Sequence, residues 1–314
     1  MADATALQGA PAGAPHRKKA RLALWDRIMA HSDIGIATWA ILVYVFFYLP
    51  IVVLVVFSFN KQVLNITWEG FTFDWYIAEQ GAPGQDPRVI GVIRDPALIS
   101  AFVTSLEIAL LSTIASVAIG TLGAFALVRF HFRTKNVWDG LNYTKIIIAE
   151  IVAGVSTLLF FTTLNDFLDT YVGFDFFNIF LPGFWTVVIA HIAWNIPFVV
   201  VIVRARLLGF DRSIEEAGAD LGANPVSVFF RITLPVIFPG ILAASLLAFT
   251  LSFDDFVTTF FVIGQDYNTL PVKIWSMVRM GITPEINAIS TFMMGFSMII
   301  VVFLELKARV SEVL

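Results

Sequence analysis

The sequence contains no cysteine, which excludes disulfide bonds, thiol catalysis and cysteine-based metal sites. Charge is also scarce, because charged residues make up 14% of the chain, against about a quarter in ordinary soluble domains. The phosphate-binding pattern G-x-x-x-x-G-K-[ST] is absent, and no glycine is followed directly by lysine. We therefore expect no ATP or magnesium site of this kind in the chain, and any nucleotide chemistry would come from another polypeptide.

Apolar residues predominate in the sequence. They make up 58% of the chain, and the mean hydropathy is +0.82. Apolar runs of about 20 residues are long enough to cross a bilayer as helices. The sequence predicts an all-α integral membrane protein with about six transmembrane helices, at roughly 36–58, 98–128, 144–164, 184–204, 236–260 and 286–306.

The basic residues predict how these helices are oriented. Fifteen of the 20 Lys and Arg residues lie in the two terminal tails, in the loops that follow the second and fourth spans, or at the ends of the spans that border these loops. Cytosolic loops carry such an excess. We therefore expect both termini and the loop 205–235 to be cytosolic. Residues 1–35 form a tail with either a short amphipathic helix or a plain basic flank, and residues 36–310 form one transmembrane domain.

The stretch SIEEAGADLGANPVSVFFRITLP, at 213–235, is unusually polar for this chain. Ser213 followed three residues later by Glu216 is typical of a capping box, and Gly222 is a natural helix stop. Asn224 and the proline after it predict a second helix start, with an end before Pro235. Physically this is either a docking knob for a partner or an ordinary amphipathic surface helix.

The spacing of this stretch resembles the "EAA" loop of ABC importer permeases. Glu-Ala-Gly at 216–218 is followed by three residues, a glycine, nine residues and Ile-Thr-Leu-Pro at 232–235, and the one departure is Gly218 where alanine is usual. The resemblance implies a type I ABC importer permease fold in a bacterial inner membrane, with a cytosolic coupling helix before the fifth span. It assigns ATPase coupling to Glu215, Glu216, Ala217, Gly218, Asp220, Leu221, Gly222, Ile232, Leu234 and Pro235.

Three further stretches resemble the second permease subunit of spermidine/putrescine importers: GFTFDWY at 70–76, LSFDDFVTTFFVIG at 251–264 and TLPVKIWSMVRMGITPEINAIS at 269–290. This resemblance implies a second, non-identical permease, two copies of an ATPase that binds ATP and magnesium, and an extracytoplasmic binding protein that meets the loops 59–97 and 261–285. Lipid surrounds the spans, and nucleic acid is not an expected partner. Where that group often has Pro-Asp, this chain has Ala149-Glu150, so we expect a straighter helix there.

Four acidic residues within the spans are candidates for a cation path, because an ionisable group inside a membrane is costly to keep. They are Glu107, Glu150, Asp254 and Asp255. Counting helical rise places the aspartates near the outer mouth and Glu150 near the inner end of the third span. The alternatives are helix capping by the aspartates and an ion pair between Glu150 and Lys145.

Other assignments remain open at this point. His191 and Asn195 either line the path or form hydrogen bonds between helices. The favoured function is a permease for a small cationic solute, most consistent with a polyamine. The alternatives are the same importer role for iron, phosphonate, a sugar or an amino acid, and a stand-alone channel or secondary transporter. A membrane enzyme is disfavoured, because the sequence shows no cluster of catalytic residue types.

Overall fold

A computed structural model describes residues 14–62, 67–79, 89–171, 180–281 and 283–313 of the chain, without the side chains of 14–34, 304–305 and 307–313. Residues 1–13 of the predicted tail, and parts of both loops expected to meet a binding protein, lie outside this description. The described part is helical, apart from one antiparallel bridge between Asn60 and Phe71. The predicted all-α class is therefore confirmed.

The helices follow one another along the chain with short connections. Their bounds are α1 Ala14–Phe57, α2 Asp74–Ile77, α3 Pro96–Arg129, α4 Lys135–Ile147, α5 Glu150–Tyr171, α6 Phe184–Leu208, α7 Ser213–Asp220, α8 Pro225–Val228, α9 Leu234–Phe253, α10 Val257–Val262, α11 Leu270–Met280 and α12 Pro284–Val313. A π-helical turn, Phe229–Thr233, joins α8 to α9.

Six of the described segments are long and apolar enough to cross a membrane, which confirms the predicted number. They are Gly35–Phe57, Pro96–Arg129, Glu150–Tyr171, Phe184–Leu208, Pro225–Phe253 and Pro284–Phe303. Two spans differ clearly from the prediction. The third runs from Glu150 to Tyr171 instead of about 144–164, and the fifth runs from Pro225 to Phe253 instead of about 236–260.

Helix α1, up to Val56, belongs to one compact unit, and residues 57–314 form the second. The span Gly35–Phe57 has a mean hydropathy of 2.9, and none of its residues is buried within the chain. So apolar a surface requires lipid or another subunit around it. The helix continues back to Ala14, so the backbone of the predicted amphipathic segment is helical.

The core of the remaining unit, 57–314, is built by α3, α6 and α9. One apolar cluster runs between them and includes Ala124, Val199 and Ile237, each fully buried. Gly120 lies so close to Val199 that a Cβ atom added there would meet its Cγ1 at 2.6 Å. Small residues of this kind let membrane helices pack closely. These three helices therefore form the framework on which the functional side chains are mounted.

Helices α4 and α5 are separated by a break at residues 148–149. Ile148 has extended dihedral angles, φ −63° and ψ 132°, and its N–H still bonds to the carbonyl of Thr144. A new helix then starts, with Ala153 N–H bonded to the carbonyl of Ala149. The expectation of a straighter helix without the proline is wrong. The break does not depend on proline. The backbone already leaves the helical region at Ile148, one residue before Ala149, where that group often has proline.

Candidate functional site

The predicted coupling loop forms helix α7, but its start differs from the prediction. Ser213 is already the first helical residue, and the backbone of Arg212 takes the cap position without a side-chain cap. The predicted capping box is therefore wrong. Instead the Asp211 carboxylate accepts the N–H of Ser213 at 2.9 Å, and this hydrogen bond holds the pKa of Asp211 below its ordinary value. The helix begins earlier because Asp211 supplies the acceptor.

The end of α7 is the glycine stop that the sequence predicts. Gly222 has φ +86°, a backbone conformation that favours glycine. Its N–H bonds to the carbonyl of Ala219, and the N–H of Ala223 bonds to that of Gly218, which is the Schellman pattern. Asn224 then caps α8 by accepting the N–H of Ser227 at 2.7 Å. Both of these assignments are confirmed.

The second helix of the loop does not end before Pro235, as expected, but passes into α9 through the π turn. A proline clashes with the carbonyl four residues earlier and cannot donate a hydrogen bond. The turn Phe229–Thr233 widens the backbone here, so that the N–H of Leu234 bonds five residues back, to Phe229. The helix can therefore continue through Pro235, and Pro225–Phe253 forms one continuous helical segment.

Gly218 explains the one departure from the usual loop pattern. It is the buried residue of α7, and a Cβ atom there would overlap Cδ1 of Ile232. The π turn presses this isoleucine against α7, so the glycine provides the room. The space beside Gly218 is therefore filled by a side chain of the same chain.

The predicted coupling residues divide between two faces. Glu215, Gly218, Ile232 and Leu234 are buried or partly buried. The exposed members are Glu216, Ala217, Asp220, Leu221, Gly222 and Pro235. Leu221 is 90% exposed, and Ile214, Val226 and Phe230 add further exposed apolar surface nearby. This end of the molecule therefore presents an apolar knob, with Leu221 at its tip.

A buried polar contact holds the inner face of α7 against α3 and the π turn. Oε2 of Glu215 lies 3.0 Å from Nε of Arg129, the last residue of α3, and both side chains are only 13% exposed. The hydroxyl of Thr233, in the π turn, donates to Oε1 of Glu215 at 2.6 Å. One carboxylate thus joins three elements. Arg129 was not anticipated from the sequence, where it looked like one of several basic flanking residues.

Three of the four predicted path acids meet at one open cavity of about 350 Å³. Its lining is Glu150, Trp194, Thr250, Leu251, Asp254, Asp255, Phe256 and Val257. The carboxylates come from the start of α5 and from the segment after α9, and two aromatic rings complete the wall. Carboxylates and aromatic faces both attract organic cations.

The two adjacent aspartates have different roles. Asp255 caps α10, because Oδ2 accepts the N–H and the hydroxyl of Thr259 at 2.8 and 2.9 Å. The same oxygen lies 3.2 Å from Nε2 of His191, which is 3% exposed. Helix capping, the alternative reading, is thus confirmed for Asp255. Its negative charge is held by protein groups.

Asp254 and Glu150 carry the free charge of the cavity. Both residues are exposed, and in the described part of the chain no ion pair or side-chain hydrogen bond engages either carboxylate. The expected alternative pair of Glu150 with Lys145 is not formed there, because the ammonium of Lys145 instead lies 4.5 Å over the ring of Trp194. Asp254 is therefore the aspartate that faces the cavity.

The cavity lies at a different height along the helix bundle from the one predicted for the two aspartates. Asn195, near the middle of α6, donates to the hydroxyl of Ser252 at 2.7 Å, and that hydroxyl lies 3.0 Å from the hydroxyl of Ser112, near the middle of α3. Asp254 therefore lies near the mid-height of the bundle, not at its mouth. The predicted rise of about 27 Å reaches only the middle because α3, with 34 residues, makes the bundle about 51 Å tall at 1.5 Å per residue.

The structure also shows where the other two predicted acids, Glu150 and Glu107, lie. Glu150 does begin the third span, but the preceding α4 already runs along α6, where Asp139 bonds to Arg204 at 2.6 Å. Glu150 therefore lies level with Asp254 and not at the end of the bundle. Glu107 is exposed on α3 and outside this cavity. The structure does not bring it together with the other three.

His191 and Asn195 form hydrogen bonds between helices, as one of the two readings expects. His191 reaches Asp255 and the hydroxyl of Thr259, and Asn195 reaches Ser252. The serine partners were not predicted, because isolated serines in apolar helices carry no distinguishing pattern. Within the described residues, no group of three or more His, Asp or Glu is arranged to hold a metal ion.

Comparison with known proteins shows clear relatives. The chain is 36% identical over 267 residues to the spermidine/putrescine transport system permease protein PotC of Escherichia coli K12, covering 85% of this chain and 91% of that protein. It is 39% identical over 253 residues to the putrescine transport system permease protein PotI of the same strain, covering 80% and 83%. No protein-family profile matches the chain.

Solved structures share the fold at low sequence identity. A bacterial ABC transporter that imports the acidic polysaccharide alginate matches with a TM-score of 0.68 at 15% identity, covering 91% of this chain and 98% of that one. The MetNI methionine ABC transporter matches with a TM-score of 0.55 over 68% of this chain and 96% of that one. The predicted ABC importer permease fold is thereby confirmed. The chain is a multi-pass membrane protein that belongs to the family of ABC importer permeases that includes PotC and PotI.

Proposed function

We propose that this chain forms one half of a polyamine path in an ATP-driven importer. The observation that carries the substrate class is the cavity with two unpaired carboxylates, Asp254 and Glu150, beside the ring of Trp194. Polyamines are short alkyl chains with several ammonium groups, so two carboxylates and an aromatic face complement them. The polyamine permeases PotC and PotI, as relatives, support the same class.

Uptake by cells or proteoliposomes that hold the complete importer tests this substrate assignment. Asp254→Asn and Glu150→Gln remove one charge each and keep the shape of the side chain. We expect each to lower the rate of putrescine uptake about tenfold, equivalent to a loss of about 1.4 kcal/mol. The control is Asp166→Asn, an exposed acid on α5 outside the cavity and outside the loops expected to meet the binding protein. Unchanged uptake in both cavity variants would reject the assignment.

The open position of the cavity supports a second permease subunit. Exposed carboxylates at the mid-height of a membrane bundle do not face lipid, because the cost of a charge in hydrocarbon is several kcal/mol. A second, non-identical permease covers this face and completes a polar path. The assembly further contains two copies of an ATPase, which bind ATP and magnesium, and a binding protein that delivers the polyamine to the loops 59–97 and 261–285.

Helix α7 and the exposed Leu221 form the proposed contact with the ATPase. The knob is rigid, since Gly222 and the cap of α8 fix its end. We expect Leu221→Asp to prevent the ATPase from co-purifying with the permease, because a charge replaces the apolar tip. Ile77→Asp, an equally apolar and 55% exposed site away from α7, is the control. Normal co-purification of the Leu221 variant would exclude this contact.

The proposed orientation places α7 and both termini on the cytosolic side. The absence of native cysteine makes this directly measurable. A Leu221→Cys variant is expected to react with a membrane-impermeant maleimide in inside-out vesicles and not in intact spheroplasts. The opposite labelling pattern would overturn both the orientation and the coupling role of α7.

A further inference from the structure

The ion pair between Arg129 and Glu215 connects helices that are far apart in sequence. Helix α7 is already tied by short connections to α6 before it and to α8 and α9 after it. Helix α3 ends 84 positions earlier and has no such covalent tie to α7. Among the described residues, Arg129–Glu215 is the ion pair that joins α3 to α7.

The contact is built more firmly than a surface ion pair. Both side chains are largely shielded from water, and exposed pairs are worth little because water screens them. The second oxygen of Glu215 accepts the hydroxyl of Thr233, which is fully buried in the π turn. The guanidinium also lies 5.8 Å over the ring of Phe210, in the connection from α6. Arg129 thus contacts both α7 and the connection that precedes it.

Arg129 also retains hydrogen-bonding capacity. Its Nη2 atom is buried without a hydrogen-bond partner, and Nε faces Glu215 at salt-bridge distance without a well-aligned hydrogen bond. Removal of Glu215 would leave a buried guanidinium poorly compensated, so the two groups stabilise each other's position. They line a cavity of about 350 Å³ between α3, α7 and the π turn.

Helix α3 extends from this contact to the acid cavity. Arg129 is its last residue, Gly120 packs against Val199 of α6, and Ser112 lies 3.0 Å from Ser252, two residues before Asp254. A displacement of α7 that reaches Arg129 would therefore reach the wall of the cavity along one continuous helix. Close-packed helices of this kind transmit rigid-body movement because they do not deform continuously.

We propose that Arg129 is a positioning residue that, through Glu215, makes α3 move together with α7. The proposal rests on the proposed coupling role of α7 and adds the element that receives the movement. In this arrangement the ATPase pushes on the exposed face of α7. The buried face passes the movement to α3 through one carboxylate. Without the ion pair, α7 remains docked on the ATPase while α3 lags behind.

The test measures coupling separately from docking. Because the chain has no native cysteine, the variant Arg129→Cys/Glu215→Cys removes the ion pair and offers two unique thiols. The complete importer is reconstituted in proteoliposomes with the binding protein, and putrescine uptake is measured per ATP hydrolysed. We expect that ratio to fall at least about fivefold, the lower end of usual coupling strengths between sites. A bifunctional methanethiosulfonate reagent that bridges the thiols is expected to restore it.

A second ion pair provides the control. Arg204 and Asp139 are also partly buried and 2.6 Å apart, but they join α6 to α4. Their double cysteine variant should keep a nearly normal uptake per ATP, with and without the bridging reagent. If that variant loses coupling to the same extent, the effect is not specific to α3 and α7, and the proposal is overturned.

The remaining outcomes separate this proposal from the coupling role itself. Retained ATPase co-purification, with a lowered uptake per ATP that bridging restores, supports the proposal. Loss of ATPase co-purification in the bridged and unbridged variant would make Glu215 a docking residue and overturn it. Normal uptake per ATP in the unbridged variant would also overturn it. If instead wild-type uptake needs no ATPase, the proposed function fails, independently of Arg129.

Discussion

His191 holds Asp255 in place: its Nε2 atom lies 3.2 Å from Oδ2 of the aspartate, and the imidazole is 3% exposed. The adjacent Asp254 has no such partner and faces the open cavity. Two neighbouring residues of the same type thus differ in their surroundings, since protein groups hold the carboxylate of Asp255 and leave that of Asp254 unpaired. The difference follows from the turn between α9 and α10, which directs one carboxylate inwards.

This difference gives the first prediction. Asp255→Ala should lower the melting temperature of the purified permease complex, because the α10 cap loses about 1 kcal/mol and His191 loses its acceptor. Asp254→Asn should leave the melting temperature unchanged while it lowers putrescine uptake. Thermal unfolding followed by fluorescence, with uptake in parallel, separates the two effects. A shared loss of stability would show that both aspartates are structural.

The contact between Gly218 and Ile232 gives a compensation test. Gly218→Ala restores the usual residue of the loop, but its methyl group meets Cδ1 of Ile232. We expect a loss of about 1 kcal/mol, at the low end for overpacking, because the far end of an isoleucine can shift. Ile232→Val removes that carbon, so the double variant should regain most of the stability. A double-mutant cycle with no coupling energy would show that the two residues do not press on each other.

Two glycines with positive φ are expected to differ in their tolerance of alanine. At Gly222, φ is +86° but a Cβ atom would meet nothing within 4 Å, so the cost is backbone strain alone, about 1–2 kcal/mol. At Gly264, φ is +76° and a Cβ atom would also overlap the carbonyl oxygen of Pro182. Gly264→Ala should therefore abolish stable expression, whereas Gly222→Ala should only weaken it. Quantification of inserted protein in membranes measures this, and equal expression would contradict it.

The break between α4 and α5 predicts where proline is acceptable. Ile148 already has the extended conformation that precedes proline, and Ala149 lies just before the first helical residue. Ala149→Pro should therefore change the free energy of unfolding by less than about 1 kcal/mol. Ala153→Pro, four residues later, loses the bond to the carbonyl of Ala149 and should cost about 3 kcal/mol. Equal losses in the two variants would mean that the break is not a fixed feature.

The sequence predicted features that depend on local composition or on exact spacing. Apolar runs defined six spans, and the loop pattern placed α7 and its stop at Gly222. The break at 148–149 was missed because IIIAEIV is apolar on both sides and contains neither glycine nor proline. Hydropathy is blind to a change of dihedral angle inside a continuous apolar run.

The sequence also could not predict which side chains pair across the fold. The distinction between Asp254 and Asp255 depends on His191, which lies 64 positions earlier, and Glu215 depends on Arg129. Neither partner is marked by local sequence, because each looks like an ordinary residue of its own helix. The predicted set therefore contained three acids that the structure brings together, but helical rise had placed Glu150 and the two aspartates at opposite ends of the spans. It could not rank them, and it included Glu107, which lies elsewhere.

The row of hydroxyl and amide groups beside the cavity restricts how the transporter opens. Asn195, Ser112 and Ser252 fasten the end of α9 to its two neighbours, two residues before Asp254. The acidic wall is consequently as stiff as the three helices behind it and cannot swing aside on its own. We therefore expect access to alternate by movement of whole subunits against each other, with the energetic barrier at the interface between two polypeptides and not in a flap within this one.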